Sequence, residues 1–195
     1  RTKAKVVRMM DSIWVWVTRS DQIELKNWYH TMVGLSLLAC CTAGWAYSAA
    51  EQQKINQYLS QQFNGEVPKP ARMWVKADMK PAIKAILQRP VKQLSYRYWQ
   101  ADDRTIWLLD ELGKERDITT AVTVIDQQIS AIKVVVYRES GGGEVQVPWF
   151  TDQFKGAQAS QQWQRNIDGI SGATLSVNAL KKQAELALYL DQQLP

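Results

Sequence analysis

The chain divides by the period of its apolar residues. Residues 28–50 hold no Asp, Glu, Lys or Arg over 23 positions. At helical rise such a run spans about 34 Å, enough to cross the hydrocarbon core of a bilayer. Trp28 and Tyr29 flank one end and Trp45 and Tyr47 the other, as aromatic residues do at the two membrane interfaces. Ahead of it, Met9, Met10, Ile13, Trp14 and Val17 recur at helical spacing among Lys5, Arg8, Ser12 and Arg19. That is the pattern of a basic amphipathic helix on a membrane surface or a partner subunit. Behind it, residues 51–63 read as a polar, Gln-rich helix or stalk, which Pro68 and Pro70 interrupt.

From residue 70 the periods shorten. Residues 78–88 predict a short helix with Asp78 as N-cap, Pro81 in its first turn and Met79, Ile83, Ile86 and Leu87 on one face, stopped by Arg89-Pro90. Strands are expected at 93–99, where Leu94, Tyr96 and Tyr98 alternate with Ser95 and Arg97, and at 104–111, joined by a turn at Asp102-Asp103. The β-branched run 121–140 predicts two more strands joined by a tight polar turn. A last helix over 174–192 presents Leu175, Ala179, Leu180, Ala184, Leu186, Ala187, Leu188 and Leu190. The pattern predicts an α+β fold, an antiparallel sheet packed by helices, with one N-terminal transmembrane helix. The expected organisation is a basic cytoplasmic segment at 1–26, a transmembrane helix at 27–50, a stalk or linker at 51–70 and an extracytoplasmic domain at 71–195.

Charge sets the expected orientation. Residues 1–26 carry six cations (Arg1, Lys3, Lys5, Arg8, Arg19, Lys26) against three carboxylates, whereas 51–70 hold only Lys54 and Lys69 as cations. Positive charge stays inside, so the N-terminus is expected in the cytoplasm and the C-terminal domain on the periplasmic side of the cytoplasmic membrane. The other 169 residues balance 18 cations against 16 carboxylates, and no basic patch points to nucleic acid. A cleaved signal peptide is the competing reading, with Ser48-Ala49-Ala50 resembling a small-residue cleavage site and Leu37-Leu38-Ala39-Cys40 a lipoprotein box. The long charged segment ahead of the apolar run favours a retained anchor. Cys40 and Cys41 read as small packing residues; two thiols are too few for an iron–sulfur cluster of the chain's own, and one shared with a partner is the less favoured reading. His30, the only histidine, reads as an interfacial hydrogen-bonding residue. No metal-ligand set, catalytic triad or nicotinamide fingerprint is present.

The candidate chemistry lies in Asp168-Gly169-Ile170-Ser171-Gly172-Ala173-Thr174, directly ahead of the last helix. A turn of small residues opening a helix leaves backbone N–H groups free at the positive end of the helix dipole, which favours a phosphate. Gly172 lets the backbone approach closely, Thr174 offers a hydroxyl where the anion would rest, and Asp168 adds a carboxylate one turn upstream. A Ser/Thr N-cap without any ligand is the plainer alternative.

These residues match Asp-x-x-Ser/Thr-Gly-Ala-Thr/Ser, and the chain resembles the FMN-binding domain family of the sodium-translocating NADH:quinone reductase and the Rnf complex. The resemblance covers roughly residues 100–192. It includes paired strands ending in Glu139-Ser140-Gly141-Gly142-Gly143, where the family has Glu-Thr-Pro-Gly-x-Gly, and the element Gln153-Phe154-Lys155-Gly156. Ser-Gly in place of Thr-Pro implies a more flexible loop. The resemblance implies FMN bound covalently through its phosphate to Thr174, with Ser171, Gly172, Ala173, Asp168, Glu139, Ser140 and Gly141 around it, and Ser171 and Ser176 as residual acceptors. It also implies a flavin transferase during maturation and partner subunits that hold haem, iron–sulfur or quinone. The expected function is an electron-relay subunit of a membrane redox complex, not a stand-alone enzyme. The alternatives are an assembly subunit without flavin and a small-ligand sensory module that uses the Gly141–Gly143 loop as a cleft wall.

Overall fold

The computed structural model describes residues 47–159 and 162–195. One compact unit runs from Ser48 to Pro195. Its centre is a five-stranded antiparallel meander in the order β1 (Ala71–Trp74), β2 (Ser95–Ala101), β3 (Arg104–Leu112), β4 (Asp117–Ile125) and β5 (Gln128–Val136). Helix α1 (Ala49–Gln62) precedes the sheet, α2 (Lys80–Leu87) connects β1 to β2, and α3 (Pro148–Thr151) and α4 (Thr174–Asp191) follow it, with short 3-10 turns between. The expected α+β class and antiparallel sheet are present. No helix among the described residues is long and apolar enough to cross a membrane. The basic segment 1–26 and the span expected over 27–50, up to residue 46, lie outside the described residues.

The two hairpins form where the sequence places them. Asp102 takes a left-handed φ of 53° between β2 and β3. Asp126 and Gln127 both have positive φ, 49° and 58°, the two-residue geometry that matches strand twist. β4 starts at Asp117, earlier than its β-branched core suggests, because Asp117 to Thr120 pair with Leu112 to Leu109. Seven of its nine residues are buried in an unbroken run, as in a strand covered on both faces. On one face Trp107, Leu109, Ile118, Val122 and Val124 meet Ala179, Leu180, Ala184 and Leu188 of α4 and Ile83 and Leu87 of α2. Helix α1 packs along β5.

That last contact departs from the expectation of a stalk. α1 opens with a capping box: Ser48 Oγ accepts from the Glu51 N–H, and Glu51 returns to the Ser48 N–H at 2.8 Å. It buries Ile55 and Leu59. Arg138 Nε donates to Glu51 Oε1 at 2.6 Å, and its Nη1 donates to Asp117 O at 2.8 Å and Thr119 Oγ1 at 3.0 Å. Arg104 Nη1 holds the other end through Gln62 O at 2.7 Å. The polar face predicted a free helix because only two of its 14 residues needed to turn inward.

Smaller differences have local causes. Strand β1 carried too few residues to announce itself. The N-cap of α2 is Met79, without a side-chain cap, so Asp78 does not serve; Pro81 occupies the first turn as expected. Gln88 in the left-handed conformation ends that helix. Leu94 is 75 % exposed because β2 begins one residue later, and Leu175 is 51 % exposed on the outer side of a first turn whose Ser176 and Val177 are buried.

The Glu51 carboxyl lies below its ordinary pKa, chiefly through the Ser48 N–H, with burial opposing and Arg138 assisting. A depressed carboxylate adds stability that is present above its unfolded pKa of about 4.3 and lost as pH falls through the folded value. Wild type should therefore melt above Glu51→Gln at pH 7, and the gap should close below about pH 4. Calorimetry of the two proteins across pH 3–8 checks this.

Candidate functional site

The site grows from the start of α4. Residues 168–173 arrive as an irregular segment held at two points: the Asp168 N–H donates to Gln153 Oε1 at 2.8 Å, and Lys181 Nζ donates to Ile167 O at 3.2 Å. Gly172 has φ +80°, a backbone that only glycine adopts without strain. Ala173 is then the N-cap, with no side-chain cap and no acidic residue in the first turn. The capping alternative therefore does not describe this turn. The first N–H groups of α4 have no side-chain cap, and no acidic residue of the first turn compensates the dipole's positive end. Thr174, the first helical residue, is exposed, as are Ser171, Gly172 and Asp168; Ala173 and Ser176 are buried.

Opposite this turn stands the loop that leaves β5. A Cβ on Gly142 (φ +76°) would lie 3.1 Å from Ala173 Cβ, 3.1 Å from Tyr137 Oη and 3.4 Å from Ser176 Oγ, so the loop rests directly on the motif. Tyr137 Oη donates to Gly141 O at 2.5 Å and lies 3.4 Å from Ser176 Oγ. Tyr137 thereby ties down a loop that lacks the family's proline. Ser140 is exposed on it.

Glu139 is placed differently from the expectation. Its Oε1 accepts from the N–H groups of Glu115 and Arg116, at 2.8 and 3.0 Å, in the β3–β4 turn. Burial raises its pKa, but these N–H groups, that of Lys114 and the Lys114 charge outweigh it, leaving the carboxyl below its ordinary value. A Cβ on Gly113 would lie 2.5 Å from that oxygen, so Gly113 makes room for it. The structure thus brings together Asp168, Ser171, Gly172, Ala173, Thr174 and Gly141, and turns the Glu139 carboxylate toward the neighbouring turn.

Lys181, Gln153 and Tyr137 are not among the site residues that the sequence suggests, and Ser176 is there only as a residual acceptor. Lys181 had a legible signal, since it lies seven residues after Thr174 on the same helical face. Burial lowers its pKa while the Asp168 charge opposes the shift. Large apolar side chains are also exposed nearby: Trp149 at 57 % and Leu175. Trp149 belongs to the segment that Gln153 links to Asp168, through Gln153 Nε2 to Trp149 O at 3.4 Å.

Substituting Gly142 by Ala should strain a left-handed backbone and push the loop from Ala173, costing on the order of 1–3 kcal/mol. Thermal unfolding of Gly142→Ala against wild type checks this, with Gly141→Ala, where nothing lies within 4 Å of the added Cβ, as the mild control.

Against known proteins, residues 113–189 match the model of the FMN-binding domain family. No curated protein matches the chain. Among solved structures, the crystal structure of NqrC from Shewanella oneidensis matches with a TM-score of 0.53 at 14 % identity, covering 72 % of this chain and 93 % of that one. At that identity the likeness establishes a shared fold. The matched stretch contains β4, β5, the Gly141–Gly143 loop, the Asp168–Thr174 motif and most of α4, and over it the chain is similar to the FMN-binding domain family.

Proposed function

We propose that this chain is a membrane-anchored electron-transfer subunit that carries FMN through a phosphoester to Thr174. The observation that carries the reading is the first turn of α4, where an exposed hydroxyl follows a positive-φ glycine and an N-cap without a side-chain acceptor. That turn leaves backbone N–H groups for the phosphate oxygens. The bond would form between Thr174 Oγ1 and the flavin-side phosphorus of a flavin phosphoanhydride donor brought by a transferase, as the anhydride P–O bond breaks, the other phosphate-bearing half leaves and the hydroxyl proton passes to solvent. FMN when bound supplies two-electron uptake and one-electron release.

The chain's own residues hold and shield the group. Gly172 and Ala173 let it approach the backbone, and Ser140 and Gly141 wall the opposite side. Glu139 acts by fixing the turn beneath that loop. Trp149 and Leu175 offer apolar surface that a flavin ring would cover. Asp168, whose backbone N–H is held by Gln153, supports the attachment step. A flavin transferase would load the site, and covalent linkage would keep FMN from being lost outside the cytoplasm.

On this reading residues 27–50 cross the cytoplasmic membrane, the basic 1–26 segment stays inside, and the domain works on the periplasmic side. Electrons would pass to or from haem, iron–sulfur or quinone groups of neighbouring subunits, which the anchor would dock through Gly34, Ser36, Ala39, Ala43 and Gly44.

Chain purified from its native membrane should exceed its sequence mass by one FMN less one water, and should fluoresce in a denaturing gel. Thr174→Ala should abolish both signals with little change in melting temperature, while Ser171→Ala keeps them. An unchanged signal in Thr174→Ala would overturn the assignment, and a wild-type chain without flavin would favour the assembly-subunit reading. Asp168→Asn should lower incorporation at least tenfold without lowering stability, and full incorporation would make Asp168 a simple turn residue.

A further inference from the structure

We infer that the end of the sheet bearing the Thr174 turn lies on an anionic lipid surface, with Trp74, Leu94 and Leu112 in the interfacial layer. The inference rests on the reading of residues 27–50 as a membrane span. Register gathers these residues at one end. Trp74, the last of β1, pairs with Ser95, the first of β2. Arg97 pairs with Leu108, so Leu94 lies level with the last residues of β3. Leu112 pairs with Asp117, and Thr119 with Val136 at the end of β5. The Gly141–Gly143 loop and the start of α4 therefore share this end.

The two ends of the sheet differ in kind. At this one, Trp74 is 63 % exposed, Leu94 75 % and Leu112 52 %, three of the six large apolar side chains that the described residues expose. Beside them stand exposed Lys76, Lys92, Lys114 and Arg116, with Glu115 as the one carboxylate in 74–76, 92–95 and 112–116; the loop and the motif at this end add exposed Glu144 and Asp168. The opposite end is made of the turns Asp102-Asp103 and Asp126-Gln127, three carboxylates and no apolar residue. Tryptophan and leucine among lysines suit the headgroup layer, and anionic lipid attracts the cations grouped around these three side chains while repelling the acidic turns.

Covalent continuity selects lipid over other occupants. Glu51, in the first turn of α1, is held by Arg138 just past the end of β5. Ser48 therefore enters the domain at this same end. The charge-free run ends at Ala50, inside the first turn of α1. A bilayer crossed by that run comes within a few residues of this end and leaves the polar turns facing away.

The test uses the full chain with Cys40→Ala and Cys41→Ala, in vesicles of phosphatidylethanolamine and phosphatidylglycerol. A nitroxide is attached at Leu94→Cys, Asp103→Cys or Leu37→Cys, and its collisions with oxygen and with a water-soluble nickel chelate are compared. The label at 94 should favour oxygen, as lipid-exposed sites do, and the label at 103 should favour nickel. Lys76→Glu with Lys92→Glu should move the label at 94 toward water. A water-like label at 94 with a lipid-like label at 37 overturns the inference and leaves the anchor standing. Water-like labels at both sites overturn both. A lipid-like label at 94 with a water-like label at 37 keeps the lipid-facing end and removes the anchor. A label at 94 shielded from both reagents means protein contact and overturns the lipid assignment.

Discussion

One buried amide fixes where the helix of the motif stops along the sheet. Gln183 Nε2 donates to Leu109 O at 2.9 Å and to Ile118 O at 2.8 Å, one carbonyl on each of two neighbouring strands, and the side chain is fully buried. Apolar contact is non-directional, so Ala179, Leu180, Ala184 and Leu188 alone would tolerate a shift of α4 along the sheet. Sliding by one turn, about 5.4 Å, would break both bonds and leave a buried donor unpaired, at about 1–3 kcal/mol. Trp107 Nε1 donating to Asp191 Oδ1 at 3.1 Å fixes the far end of the same helix. With both set, Thr174 has one position, beside Gly142.

Polar ties then carry that position outward into backbone that has no regular structure of its own. Lys181 holds Ile167 O, Gln153 holds the Asp168 N–H, Tyr137 holds Gly141 O, and Glu139 holds the β3–β4 turn. Each tie runs from a side chain to a main-chain group, so the loops are placed by a rigid frame without being packed into it. The arrangement suits a site that must stay open to a large cofactor while keeping its acceptor hydroxyl in one place.

How much of this was legible follows from the range of each signal. The hairpins, the last helix and the Asp168–Thr174 motif are local in sequence, and periodicity or turn chemistry announced them. Strand β1 has four residues and gains its place only from its pairing with β2. Helix α1 read as a stalk because its inward side is two residues wide, and what seats it is Arg138, 87 residues away. Glu139 was assigned to the flavin loop by its neighbours in sequence. Its carboxylate instead serves a turn brought near by the pairing of β3 with β4, which no local pattern records. In each case the missed element is held by a long-range contact.

An ordered α1 changes what an anchor would do for a redox centre. A flexible stalk would let the domain tumble and would spread a cofactor over many distances from the membrane. Here the helix that follows the charge-free run is fixed to Arg138, one residue before the Glu139–Gly143 loop, and that loop rests on the acceptor turn. The path from Ser48 to Thr174 therefore runs through α1, the end of β5 and the first turn of α4, all tied by hydrogen bonds or direct packing. On the proposed reading the domain holds its flavin in one position relative to α1 and the sheet, which an electron relay needs because transfer falls steeply with distance.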